Sequence, residues 1–247
     1  MRAWVMATTV LLAACSDGVE LADPESRTTS TTSTTTSTTT STTTSTTTTT
    51  TATPTTEPPE PAFSSSSRAT TGDELGVSWR EGCPVAVEDL RWLELAHWDA
   101  EGLPTTGVLV LHADHVEDVI TVFARLFDAR FPIRSMRPIT DFGADDDASM
   151  QADNSSAFNC RLIDGTDRWS QHAYGGAIDI NPLMNPWVRG DQVDPPGGAE
   201  FVDRTREVPG MIVAGDVVTR AFADIGWGWG GDWNNSLDYQ HFSHNGR

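Results

Sequence analysis

Lysine is absent from this chain of 247 residues, so its 16 basic side chains are all arginines, set against 35 acidic ones for a formal net charge of −19. Such a deficit of cations excludes a binder of phosphate backbones, which needs clustered positive charge, and no nucleic-acid partner is expected. The acidic excess favours solubility and says nothing about fold. The apolar stretch at residues 3–12 falls short of the ~20 residues that cross a bilayer as a helix. Glycine-rich phosphate loops, HExxH helices and GxSxG elbows are missing, which removes three common catalytic frameworks. Cysteine is sparse, with Cys15, Cys83 and Cys160 only.

The position of Cys15 is informative. Arg2, the apolar run and Ala13-Ala14 together have the form of a secretory signal. Leu12-Ala13-Ala14-Cys15 resembles the lipobox of bacterial lipoproteins, which implies cleavage before Cys15 and acyl chains on its sulfur. The expected location is extracytoplasmic, with a lipid anchor in the bacterial cell membrane; ordinary signal cleavage, leaving Cys15 free or lost, is the alternative. In an exported chain the remaining even pair, Cys83 and Cys160, is expected to form a disulfide rather than two buried thiols.

Residues 27–56 are almost wholly threonine and serine, followed by Pro58, Pro59 and Pro61. Such a tract cannot bury enough apolar surface to offset the entropy of ordering, so it reads as a stalk that provides reach. The expected organisation is a signal over 1–14, a disordered stalk over 15–69 and one folded domain over 70–247.

Within that domain, residues 106–112 read as a buried strand. Asp114 and Glu117 form a capping-box pattern ahead of a helix whose apolar stripe is Val116, Ile120, Phe123, Phe127 and Phe131. Residues 133–137 read as a short strand ended by Pro138, 141–153 as polar loop, and 176–181 as a strand stopped by Pro182. Asp216 is placed to cap a second helix that stops at Gly226, and 239–243 close the chain as a strand. Helices and short strands mix without a repeating βαβ pattern, so the fold class is α+β.

Four residues carry the chemistry: His172, Asp179, Asp238 and His241. Asp179 alternates with Ile178 and Ile180, which puts its carboxylate on the face opposite the apolar one. A carboxylate there needs a partner or a metal. Two imidazoles and one carboxylate leave a fourth position for water, the catalytic form of a zinc site.

Ser170, His172, Gly175, Ala177 and Asp179 make up an intact S-x-H-x-x-G-x-A-x-D, which resembles the signature of the D-alanyl-D-alanine carboxypeptidase/L-alanyl-D-glutamate endopeptidase family of zinc peptidases. Gly230-Gly231-Asp232-Trp233, followed by Asp238-Tyr239-Gln240-His241-Phe242, looks like the C-terminal motif of its endopeptidase branch, with Gln240 where those members commonly have proline. The resemblance implies the fold shared with the Hedgehog signalling domain, a small antiparallel sheet with flanking helices. It also implies a zinc ion held by His172, Asp179 and His241, with a peptidoglycan stem peptide as substrate. Asp238, three residues before the last ligand, is the expected general base. Met136-Arg137-Pro138 resembles the family's strand-ending Tyr-Arg-Pro, so Arg137 is the expected cation at the site, with Arg161 as competitor.

The expected function is thus zinc-dependent hydrolysis of stem peptides. A zinc-fold module that only binds wall peptides or a partner protein is the alternative, against which Asp238 argues. A structural wall spacer is a weaker third. The tryptophans Trp227, Trp229 and Trp233 are expected to pack structurally. Asp145-Asp146-Asp147 reads as solvated loop, because Met150 stands where an EF-hand needs glycine. His244 is a possible substitute for His241.

Overall fold

The computed structural model describes residues 59–206 and 208–247. The expected signal, Cys15 and the threonine-rich tract lie outside these residues. Among them no helix is long and apolar enough to cross a membrane.

The ordered domain starts earlier than Thr70. Strand β1 (Ser65–Ala69) pairs antiparallel with β2 (Leu90–Trp98), and β2 pairs with β3 (Pro104–His112). The composition of 65–69 is stalk-like, and only backbone pairing to an apolar neighbour strand makes it part of the sheet. Between β1 and β2 lies the one-turn helix α1 (Gly72–Leu75), fixed by a reciprocal capping box of Thr71 and Glu74.

Helix α2 (Val116–Asp128) packs its buried Val119, Val122, Phe123 and Leu126 on Leu93, Leu95, Leu109 and Leu111 of the hairpin. Its start differs from the expected capping box. A 3-10 turn over Ala113–His115 precedes it, and the His112 imidazole, not Asp114, accepts the Asp114 N–H at 3.2 Å. The opposite face of β3 is buried as well: Val110 joins Leu75, Val85, Leu90 and Phe158 in a second cluster beside Cys83 and Cys160. Those two sulfurs are bonded, with Cα atoms 5.9 Å apart, and tie the segment before β2 to the segment after β5.

Strand β4 (Ser135–Met136) pairs in parallel with β5 (Asn154–Ser155). The stretch between them is not the expected polar loop. It holds a 3-10 turn over Ile139–Phe142 and helix α3 (Asp146–Gln151), capped by the Asp145 carboxylate on Ala148 N–H at 3.0 Å. Its acidic residues are cap and first-turn residues, which complement the helix dipole.

Next come β6 (Ala177–Asp179), β7 (Trp187–Arg189) and β8 (Gln192–Asp194). Helix α4 (Val217–Asp224) is capped by Asp216 as expected, its carboxylate accepting from Thr219 N–H at 2.8 Å. Strands β9 (Gly228–Trp229), β10 (Leu237–Asp238) and β11 (His241–Ser243) complete the domain, so the strand expected over 239–243 is shorter, with Tyr239 and Gln240 in a turn that precedes it. The small sheets are ordered β10-β7-β8 and β6-β11-β9, with helices flanking. The fold is α+β.

Candidate metal centre

Residues 170–175 form a tight turn that presents His172. The Ser170 hydroxyl accepts the His172 N–H at 3.3 Å, and Gly175 ends the turn at φ +66°. A Cβ on Gly175 would stand 2.6 Å from the His112 nitrogen, so only glycine lets this turn lie against the end of β3. The chain then enters β6, where Ile178 and Ile180 face the core and Asp179 faces away.

Register brings the second histidine. β11 pairs antiparallel with β6 so that His241 sits opposite Asp179 and Phe242 opposite Ile178. Opposed residues share a face, so the pairing that buries Phe242 against Phe222, with ring centroids 4.1 Å apart, also delivers His241 to Asp179. A one-residue slip would exchange the two faces.

The three side chains converge. His241 Nδ1 lies 3.0 Å from Asp179 Oδ1, His172 Nε2 lies 3.1 Å from Asp179 Oδ2, and the two nitrogens are 3.3 Å apart. All three residues are buried, and their potential ligand atoms lie within 4.8 Å of one another. The outer ring nitrogens face backbone carbonyls, His172 Nδ1 at Ala157 O (2.5 Å) and His241 Nε2 at Arg247 O (3.2 Å). Protons on the outer nitrogens leave both inner lone pairs aimed at one point beside a carboxylate. Such a donor set fits a divalent ion that takes nitrogen and oxygen ligands. Burial opposes a charged His172, yet the charge and hydrogen bond of Asp179 outweigh it and raise the imidazole's pKa. Burial likewise opposes an ionised Asp179, and the two imidazoles overcome it to hold the carboxyl far below its ordinary range.

Asp238 is placed by β10, opposite Trp187 of β7. Gly230 makes room for it: a Cβ there would meet Asp238 O at 2.6 Å and its Cβ at 2.7 Å. Asp238 Oδ1 is sealed from solvent and has no hydrogen-bond partner among the described residues. Burial pushes this carboxyl up to about 7; the neighbouring Asp179 charge adds to the rise, and His241 opposes it. A carboxyl poised near neutrality at such a place suits proton transfer.

The cluster opens into a cleft of about 1650 Å³ lined by His172, Asp179, Asp238 and His241. Trp233 also lines it, its ring 5.4 Å from that of His241, so one of the tryptophans expected to be structural forms a wall of the site. Trp227 and Trp229 are core residues, as expected.

Arg137 does not line the cleft. Its guanidinium is 56% exposed, pairs with Asp141 at 2.9 Å and lies over the Phe142 ring. The 3-10 turn over Ile139–Phe142 supplies both partners, and they hold this side chain at the surface. Arg161 lines the cleft instead, paired with Asp146 at 2.5 Å. His244 is separate from the triad, with Nδ1 at Gly176 O (3.2 Å) and its ring 4.9 Å from His115. Three groups escaped the sequence reading: the carbonyls of Ala157 and Arg247, which orient the histidines, and Asp146. Carbonyls leave no trace in residue identity; for Asp146 a helical start at 145–147 was the available signal.

Two buried imidazoles and a carboxylate, with a second carboxyl of raised pKa alongside in an open cleft, are the layout of a hydrolytic metal centre. Residues 164–244, about a third of the chain, match the family model described as D-alanyl-D-alanine carboxypeptidase, and the matched stretch contains all four of these residues. Over that stretch the chain is similar to peptidases of the D-alanyl-D-alanine carboxypeptidase kind. No curated protein and no solved structure matches the chain.

Proposed function

We propose that this domain is a zinc-dependent hydrolase of peptidoglycan stem peptides, acting as an L-alanyl-D-glutamate endopeptidase or a D-alanyl-D-alanine carboxypeptidase. The observation that carries the reading is the pair of inward lone pairs of His172 and His241 beside the Asp179 carboxylate, with the sealed Asp238 next to them. Asp238 in place of the glutamate usual in the carboxypeptidase branch, together with the Gly230–Trp233 segment, favours the endopeptidase. Zinc bound by the triad would supply a Lewis acid for the scissile carbonyl and acidify water for attack.

The chain's own residues do the rest. Ionised Asp238 takes the proton of the attacking water, and its raised pKa lets it return that proton to the leaving amine. The Ala157 and Arg247 carbonyls fix both ring orientations, so no reorganisation is needed as charge develops. Trp233 shields one side of the cleft from water. Arg161, the cleft arginine paired with Asp146, replaces Arg137 as the cation available to a developing oxyanion or a substrate carboxylate. In the full chain, Cys15 would carry the lipid and the threonine-rich tract the reach, delivering the cleft to the wall outside the membrane.

Digestion of purified peptidoglycan by the full-length protein, with new termini identified by mass spectrometry, tests this reading. Newly exposed N-terminal D-glutamate marks the endopeptidase and released D-alanine the carboxypeptidase. Wall binding with neither product, unchanged by Asp238→Asn, overturns the hydrolase and leaves a binding module.

A further inference from the structure

Residues 156–161 run behind the metal centre and hold two of its three ligands. Ser156 and Asp179 exchange both backbone hydrogen bonds, the Ser156 N–H to Asp179 O at 3.1 Å and the Asp179 N–H to Ser156 O at 2.9 Å. The Ala157 carbonyl faces the His172 ring. Asn159 N–H donates to His172 O at 3.2 Å. The Arg161 carbonyl accepts at 3.1 Å from the N–H of Ser170, where the turn that presents His172 begins, and the Arg161 side chain lines the cleft.

The two halves of this segment are anchored differently. Ser156 continues from β5, and Phe158 is buried in the second apolar cluster, its N–H donating to Val110 O of β3 at 3.0 Å. Residues 159–161 lie in neither helix nor strand. Away from the site, their main chain is held by residues 78–83. Cys160 N–H donates to Ser78 O at 3.0 Å, the Arg80 guanidinium donates to Cys160 O at 2.6 Å, and Cys160 is bonded to Cys83. The same guanidinium lies over the ring of Trp169, the residue before Ser170, 5.6 Å from its centroid.

Residues 79–86 are themselves outside any helix or strand. Two irregular segments laid together have no ladder to fix their register, so they open locally with ease, and the covalent bond is what keeps 159–161 seated. The bond is within reach of a reductant. Cys160 is buried, but Cys83 is half-buried, and its sulfur accepts the Arg80 N–H at 3.2 Å, which stabilises a thiolate there.

We propose that the Cys83–Cys160 bond is a redox-sensitive positioning device for the metal centre. Formed, it seats the main chain that fixes His172 and delivers Arg161. Broken, it frees residues 159–161, and the centre loses its grip on the ion while the rest of the domain stays folded. Asp179 keeps its place, because Ser156 lies on the anchored side. The reductant is a dithiol: its two thiols become one disulfide as the Cys83–Cys160 bond opens, and two electrons and two protons pass to the pair, which becomes two thiols. The inference rests on the peptidase reading and deepens it by adding control of the same site.

The test compares three forms of the full-length protein: oxidised, reduced, and carrying Cys83→Ser with Cys160→Ser. A phosphine serves as reductant, because thiolates bind zinc. Zinc affinity, read by competition with a chelating dye, should be about tenfold weaker in the reduced and serine forms and should recover when the reduced protein is reoxidised. In the metal-free protein, the amides of Asn159, Cys160 and Ser170 should exchange with solvent about tenfold faster after reduction, while those of Ser156, Asp179 and α2 keep their rates. Leu126→Ala, which weakens the core from α2 outside the cleft, is the control and should leave zinc affinity unchanged. Equal zinc affinity in all three forms, an equal loss in Leu126→Ala, or unchanged exchange at the three amides overturns the device. So does loss of the circular dichroism signal in the reduced and serine forms, which would make the bond a support of the whole fold. Hydrolysis of peptidoglycan is read separately at saturating zinc. Equal kcat/KM and equal zinc affinity with and without the bond sink the device and keep the hydrolase; a redox shift in zinc affinity without hydrolysis in any form sinks the hydrolase and keeps the device.

Discussion

Asp238→Asn should stabilise the metal-free protein at alkaline pH. The carboxyl ordinarily ionises near 3.8 and here is raised to about 7, chiefly because Oδ1 is sealed from water without a partner. A folded-state pKa above the unfolded one means that ionisation opposes folding. The cost is absent below the unfolded value, grows as pH rises from about 4 to about 7, and is constant above that. The ceiling is about 4 kcal/mol, and about 2 kcal/mol is expected because the rest of the side chain is partly exposed. In a domain of this size that corresponds to a rise in Tm of about 4–8 °C. The assay is thermal unfolding of chelated wild type and variant, followed by circular dichroism at about pH 3, 5 and 8. The difference should be near zero at the lowest pH and largest at the highest. Added zinc should shrink it, since a nearby cation stabilises the ionised carboxylate. A variant no more stable than wild type at about pH 8 would refute the reasoning.

The acid limb of kcat/KM, measured from about pH 5 to about pH 9, should rise with pH and reach half its maximum at or below pH 7, because Asp238 must be ionised and a bound cation lowers its pKa; Asp238→Asn should lose at least about 100-fold in kcat. His172→Ala and Asp179→Asn should each abolish stoichiometric zinc binding, measured by metal analysis of the purified protein, and hydrolysis with it. Replacing Cys83 and Cys160 by serine releases a loop with 77 residues of sequence separation and should cost about 4 kcal/mol in urea unfolding. Gly175→Ala drives a Cβ against the His112 nitrogen at positive φ and should cost about 1–3 kcal/mol while weakening zinc affinity about tenfold, read by competition with a chelating dye.

What could be read beforehand follows a physical divide. The α2 stripe, the β3 run and the Asp216 cap are local patterns, and local patterns survive in sequence. His172 and Asp179 were legible because a short turn links them, and His241 because its motif is distinctive. The start of the domain was not legible: 65–69 has no apolar periodicity of its own and becomes a strand by borrowing β2's hydrogen bonds. Arg137 was misplaced because the resemblance fixes its position in the chain but not the direction of its side chain, which depends on Asp141 and Phe142. Helix α3 was missed because three aspartates in a row look like solvent-facing loop until one is recognised as a cap.

In the sheet ordered β6-β11-β9, the middle strand is the one reached last along the chain. Until residues 241–243 have been made, the flanking ribbons have no strand between them and Asp179 lacks an imidazole across from it. A truncation ahead of residue 241 would leave two orphaned edges rather than a smaller sheet, so loss of those few residues should register as a folding defect as well as a missing ligand.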